Sequence, residues 1–264
     1  MSILYISSLF ERKKPMGLLY EKEYEVHYYE VDANLKCNLL SIMNYFSDIS
    51  NKQSEALGVG IDYLNSNNLT WVFYKYDIQV KRYPKYEEKI KVTTRGKDFK
   101  KFYASREFKI FDQDDNEIVS GEGIFLLIDT VKRRAVRIPD EQYIAYDVDK
   151  EKDNNIVIKK IDKLTEEHGY NNYKVRYSDI DSNKHVNNVK YVDWAIDSIG
   201  EEIITKYSLD SIEIMFEREC YYGDTIKASY EIKEKNEQEA VILHKIEDED
   251  GKELTLLKTS WQAK

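Results

Sequence analysis

At 264 residues, with 42% hydrophobic and 34% charged residues, the chain can fill one large or two ordinary cores beneath a highly charged surface. A net charge of -9 argues against general nucleic-acid binding, and no apolar run nears the roughly 20 residues that a bilayer span needs. Cys37 and Cys220 lie far apart without metal-ligand spacing, which fits a reducing, cytoplasmic setting and no metal.

In chain order, the apolar start Met1–Phe10 precedes its charges, Glu11-Arg12-Lys13-Lys14, the reverse of a secretory signal. Residues 1–19 read as an extension, and Met16 is an alternative start. Residues 20–31 alternate and carry Tyr and Val, which predicts a strand. Leu39, Ile42, Met43, Phe46, Ile49, Gln53 and Leu57 follow helical spacing up to Gly58, a C-cap. Strands are predicted at 71–82, 88–94, 102–111 and 117–129, with a turn at Asp112–Asn116. Residues 146–168 are charged and weakly patterned, and read as a linker with a short helix or strand around Ile156–Leu164. The second half replays the order: a strand at 173–180, a helix from Asn188 to Ile199, then strands at 211–220, 225–233, 240–246 and 253–262.

The replay extends to residue identities. Val26–Asn38 aligns with Val175–Asn187, and the match continues without a gap to Asp48 and Asp197. A second block pairs Ile78, Arg82, Tyr86, Ile90 and Lys91 with Ile214, Arg218, Tyr222, Ile226 and Lys227. The offset falls from 149 to 136 between the blocks, which places thirteen extra residues around Asn51–Asn68. Each half is therefore strand, long helix, then antiparallel strands, and one helix laid on such a sheet buries the apolar face of both. This predicts an α+β tandem of two hotdog folds: 20–145, a linker at 146–168, and 169–264.

The copies differ where chemistry would sit. Asp181, Asn183 and His185 precede the second helix, where unpaired backbone N–H groups and the helix dipole stabilise developing negative charge. Asp and Asn also serve as ordinary caps and turn residues, and their counterparts Asp32 and Asn34 persist in the first copy. Capping does not account for His185, which replaces Lys36, or for Glu219, which replaces Tyr83. Cys220 offers another route, as a nucleophile with His185 as base. Strand alternation would put Glu219 and Cys220 on opposite faces, and Glu219 is favoured because Pro84 holds the Cys220 position in the first copy.

Asp179–Tyr191 with Trp194 resembles the motif of the acyl-acyl-carrier-protein thioesterases of plants and bacteria. Phe216-Glu217-Arg218-Glu219-Cys220 is similar to that family's second motif. Leu69–Phe73, Arg82-Tyr83-Pro84 and Arg137-Ile138-Pro139 resemble its N-terminal pattern. The resemblance covers about residues 20–262, and Tyr74-Lys75 departs from the Thr-Arg often found there. It implies a double hotdog whose first half shapes an acyl pocket, with Trp71, Val72 and Phe73 contributing, and whose second half is catalytic. Asp181, Asn183, His185 and Glu219 become the catalytic set, with Cys220 the lesser candidate.

The implied reaction is hydrolysis of fatty acyl thioesters on acyl carrier protein, with no cofactor and no metal. Helix N–H groups near Val186–Asn188 would polarise the carbonyl, and Glu219 or His185 would activate water, or a carboxylate would attack through an anhydride. An acidic carrier needs a basic patch, for which Lys132, Arg133 and Arg134, or Lys97, Lys100 and Lys101, are candidates. Hydrolysis of acyl-CoA and a non-catalytic lipid-binding hotdog are the alternatives. Neither nucleic acid nor membrane is an expected partner, and a homodimer is compatible with the fold.

Overall fold

The computed structural model describes residues 17–151, 156–181 and 184–264. The first half opens with strand β1 (Tyr20–Glu25), shorter than expected. Tyr28–Glu30 forms a 3-10 turn because the Glu30 carboxylate accepts the His27 N–H at 2.7 Å. Helix α1 (Leu39–Ala56) starts where the Asn38 side chain accepts the Ser41 N–H, and ends at Gly58, whose φ of 72° is left-handed. Helix α2 (Ile61–Ser66) follows, and most of the thirteen extra residues lie in the last turns of α1, 18 residues long against 10 in the corresponding helix of the second half. Strands β2 (Leu69–Val80), β3 (Lys89–Lys100), β4 (Tyr103–Phe111) and β5 (Glu117–Asp129) complete the sheet. The two-residue β6 (Arg134–Ala135) and helix α3 (Asp140–Tyr146) close the half.

The second half repeats the plan: β7 (Gly169–Lys174), a 3-10 turn at Tyr177–Asp179, α4 (Asn188–Asp197) and α5 (Glu201–Lys206). Strands β8 (Tyr207–Phe216), β9 (Thr225–Lys235), β10 (Glu239–Asp248) and β11 (Glu253–Ala263) follow. The expected strand at 211–220 stops at Phe216, because the Glu217 and Arg218 N–H groups both turn to the Leu254 carbonyl. Glu219 and Cys220 therefore lie on an irregular segment, and strand alternation does not govern them. Helices α2, α3 and α5 were not expected. Residues 156–164 form neither helix nor strand.

All main strands join one sheet in the order β1-β3-β4-β5-β2-β8-β11-β10-β9-β7. Its halves meet edge to edge at β2 and β8, where Lys75 to Gln79 pair antiparallel with Met215 to Ser211. The repeat offset of 136 maps this set of pairs onto itself, so a pseudo-two-fold axis passes through the central pair, Asp77 and Glu213. Two carboxylates there face each other, and the buried Lys75 ammonium relieves them by pairing with Glu213 at 3.2 Å. Lys75 also donates to the Lys159 carbonyl at 3.0 Å. The linker crosses the outer face at this point, with Ile161 packed on Met215, Leu243 and Leu256. Helices α1 and α4 cover the inner face: Ile42, Phe46 and Ile49 from one, Val192 and Ala195 from the other, are fully buried in a shared core. This is the double hotdog.

His244 of β10 sits wholly within that core, its Nε2 2.9 Å from Thr259 Oγ1, and burial pushes its pKa down to about 3. The unfolded chain takes up a proton near pH 6.5 that the native chain refuses. Stability from this residue is therefore complete above 6.5 and is lost as pH falls toward 3, by about 1.4 kcal/mol per unit. Urea denaturation between pH 7 and 4 should show this acid limb, and His244→Gln should flatten it.

Candidate active site

The site rests on a loop frame that both halves build. In the first, Asp32 N–H donates to the Lys36 carbonyl, Leu35 N–H to Asp32, Cys37 N–H to Pro84, and Asn38 N–H to Glu30. In the second, the same four bonds run from Asp181 to His185, Lys184 to Asp181, Val186 to Cys220, and Asn187 to Asp179, at 2.8–3.2 Å. Leu35 and Lys184 both take the left-handed conformation that closes the loop (φ 58° and 66°). Asn38 and Asn187 then cap the following helices. Even the tie between strand and helix recurs: the Tyr24 hydroxyl donates to Asp48 and that of Tyr173 to Asp197. The backbone is thus conserved between halves, and only the side chains carry the difference.

In the second half the frame brings His185 and Glu219 together: Nδ1 lies 3.3 Å from Oε1, and both groups are partly exposed to solvent. The Tyr221 ring meets the His185 ring edge-on at 5.3 Å between centroids. Asp181 stands on the same loop through its backbone bond to His185. Asn183 lies outside the described residues. In the first half Lys36 replaces the imidazole. Tyr83, the counterpart of Glu219, instead donates its hydroxyl to the Leu209 carbonyl across the junction.

Cys220 is turned inward, 2% exposed, its Sγ 3.2 Å from the Tyr191 hydroxyl. Burial raises its pKa to about 11, against a smaller lowering by that hydrogen bond, and Cys37 rises to about 12, chiefly by burial. Both stay neutral thiols at pH 7, a poor state for a nucleophile. Tyr191 was not anticipated: its hydroxyl also accepts the Cys220 N–H at 3.1 Å, which fixes the segment that carries Glu219. Its counterpart in the first copy is Ile42, so the repeat held the signal.

The expected row of free N–H groups at α4 is mostly spent. Val186 and Asn187 donate to Cys220 and Asp179, and Val189 donates to the Asn187 side chain. Among the described residues, Asn188 has the one N–H of the Val186–Asn188 run with no acceptor.

Trp71 and Phe73 pack on the inner face, whereas Val72 alternates outward, opposite Leu126. This end of β2, Leu69–Tyr74, extends past its pairing with β8, toward Glu217. Lys132 and Arg133 sit exposed on the β5–β6 hairpin and Arg134 on β6, with Lys132 paired to Asp129 at 3.3 Å. Lys97 is paired with Glu122, also at 3.3 Å. Among the described residues no group of His, Cys, Asp and Glu could hold a metal ion, and no helix is long and apolar enough to cross a membrane.

Two family models match: the acyl-ACP thioesterase N-terminal domain over residues 17–146 and the C-terminal domain over 162–263. A chloroplastic acyl-[acyl-carrier-protein] hydrolase of Cuphea viscosissima is 26% identical over 94% of this chain and 63% of its own length. A chloroplastic palmitoyl-acyl carrier protein thioesterase of Gossypium hirsutum is 23% identical over 94% of this chain and 65% of its own. The chain thus spans less than two thirds of these relatives. A Lactobacillus plantarum structure described as an oleoyl thioesterase is 27% identical, covers 94% of this chain and 97% of its own, and superposes with a TM-score of 0.88. The 12:0-ACP thioesterase of Umbellularia californica, 21% identical over 93% of this chain and 98% of its own, shares the fold at a TM-score of 0.81.

A thiol count checks the placement of the cysteines. Native protein at pH 7.5 should react with Ellman's reagent far more slowly than free cysteine, and two thiols should appear on denaturation.

Proposed function

The chain belongs to the acyl-ACP thioesterase family, and from that premise we propose that it hydrolyses the thioester between a fatty acyl chain and acyl carrier protein. The observation that carries this reading is the His185–Glu219 pair, present in one copy of a loop frame that both copies share. The products are the free acid and the carrier thiol.

In the proposed reaction the thioester carbonyl lies against the Asn188 N–H at the head of α4, which takes the developing oxyanion. Glu219, held by His185, removes a proton from a water that attacks the carbonyl carbon. Asn183 positions that water, and Asp181 orients the loop. The tetrahedral intermediate then collapses, the carbon–sulfur bond breaks, and the proton that Glu219 took passes by way of His185 to the leaving thiolate. Cys220 has no step here, because a buried neutral thiol neither meets solvent nor attacks readily. The resting thioester is already activated, so these groups suffice without a cofactor. The acyl chain enters the first half past Trp71 and Phe73. The exposed Lys132, Arg133 and Arg134 hairpin receives the acidic carrier, and two buried free thiols support a cytoplasmic setting.

Thiol release from acyl carrier proteins and acyl-CoAs of varied chain length tests the activity. Wild type should turn over carrier substrates, and His185→Ala and Glu219→Gln should each lose about 100-fold or more in kcat, the usual scale of general acid–base catalysis. No release from any thioester would refute the hydrolase reading, and equal kcat/KM on CoA and carrier would remove the carrier as the specific substrate. For docking, reversing Lys132, Arg133 and Arg134 to Glu should raise KM for the carrier substrate several-fold and leave KM for acyl-CoA unchanged. An unchanged carrier KM would place the dock elsewhere.

A further inference from the structure

The repeat exposes a second asymmetry, deep in the first half. Strand register aligns four residues across the inner face: Tyr76 on β2, Gly123 on β5, Arg106 on β4 and Gly96 on β3. The equivalent row of the second half is Ile212, Thr259, Ile242 and Ile232, built on the same pairings and mostly aliphatic. The second row shows that this position in the fold needs no charge. In the first row a cation stands between two glycines.

Arg106 is 91% buried by its 9% exposure, yet no carboxylate pairs with it among the described residues. Its Nη1 donates to Gln53 Oε1 and to Thr94 Oγ1 (3.2 Å), and its guanidinium lies 5.2 Å from the centre of the Tyr146 ring. Gln53 is in turn anchored by its amide to the Leu18 carbonyl at 2.7 Å. The Nε and Nη2 groups donate to no protein acceptor among the described residues. That edge is the fork that binds a carboxylate through two parallel hydrogen bonds. Beside it, the Tyr76 hydroxyl is fully buried and has no partner among the described residues; burial pushes its pKa well above the usual tyrosine value, against a smaller lowering by the Arg106 charge. A buried hydroxyl left without a partner is costly in a core unless something supplies one.

The row lies next to Phe73 on the inner face of the first half. A bulge at Tyr74 breaks the alternation of β2, so Phe73 and Tyr76 share the inner face and their rings meet at 5.2 Å. By the pseudo-two-fold relation Phe73 corresponds to Leu209, the residue that Tyr83 reaches, and Tyr83 corresponds to Glu219. Phe73, Tyr76 and Arg106 therefore follow in order along the inner face, and the same relation would set Glu219 toward Phe73. The far end is closed where Gly17 packs against the Gly96 carbonyl.

We propose that Arg106 and Tyr76 form a polar subsite at the inner end of the acyl pocket, which takes the carboxylate of an ω-carboxyacyl chain. The subsite rests on the thioesterase reading and adds the class of acyl group. The chain enters carboxylate first, the Arg106 fork grips both oxygens, and the Tyr76 hydroxyl donates a third hydrogen bond. An aliphatic chain long enough to reach this row instead covers the guanidinium with methyl carbon and leaves its donors unmet.

Two series of carrier-linked chains of about 6 to 16 carbons, one ending in methyl and one in carboxylate, test this by kcat/KM. At the best length the carboxylate chain should exceed its methyl match at least tenfold. Arg106→Gln should bring that ratio near one, Arg106→Lys should restore part of it, and Tyr76→Phe should lower it about threefold. Tyr76→Phe deletes only an unpaired hydroxyl, so it guards against misfolding of the arginine variants. A wild-type ratio below one at every length, or one that neither Arg106→Gln nor Tyr76→Phe changes, overturns the subsite. If neither series is hydrolysed, the thioesterase reading fails separately. Thermal shift with free α,ω-alkanedioates against alkanoates then decides the subsite alone: a rise in wild type that Arg106→Gln abolishes supports it, and no rise overturns it.

Discussion

Five residue pairs along the β2–β8 seam hold the architecture together, because they turn two sheets into one and fix the axis that relates the halves. A sheet edge exposes unpaired backbone groups, and each half covers the open edge of the other at this seam. The seam also sets the chemistry. Tyr83 reaches across it to Leu209, and the segment bearing Glu219 faces the free end of β2 in the same way. The helices stay in contact along the same axis, so both cores merge into a single cluster.

Within that symmetric frame, the two halves differ by substitution. Four backbone hydrogen bonds, a left-handed residue and an Asn cap are common to both loops. Exchanging Lys36 for His185, Tyr83 for Glu219 and Ile42 for Tyr191 gives the second loop an imidazole facing a carboxylate on a segment that the Tyr191 hydroxyl holds. The first half has diverged in the opposite direction, giving up aliphatic packing at one row for Arg106 and two glycines. Each half is therefore specialised where its twin is plain.

The helical stripe from Leu39 and the alternation of the long strands were legible in the chain, since eighteen helical residues and strands of nine to thirteen give many turns of the pattern. Helices α2 and α5, six residues each, complete too few turns to show a period. The two overlong strands were misjudged because Glu30 and Asp179 cap 3-10 turns inside runs that still look extended. His185 and Glu219 stand out when the copies are compared, whereas Cys220 is turned inward on an irregular segment past the end of β8, where strand alternation does not apply. Tyr191 was missed because an aromatic on a buried helix face looks like packing. The Arg106 row depends on register across four strands and on the bulge in β2, neither of which leaves a mark in a linear sequence.

Asp77 and Glu213 meet on the pseudo-axis, and that position says something about why the two halves share a chain. In a pair of identical subunits, whatever stands at an axis must face its own copy, so an acid there would confront an acid, and any escape would have to come from the same residue on both sides. Lys75 provides the escape here, and its own counterpart across the axis is Ser211. A self-matching pair could not place a lysine on one side and a serine on the other. Joined end to end, the halves are free to answer each other's defects instead of duplicating them.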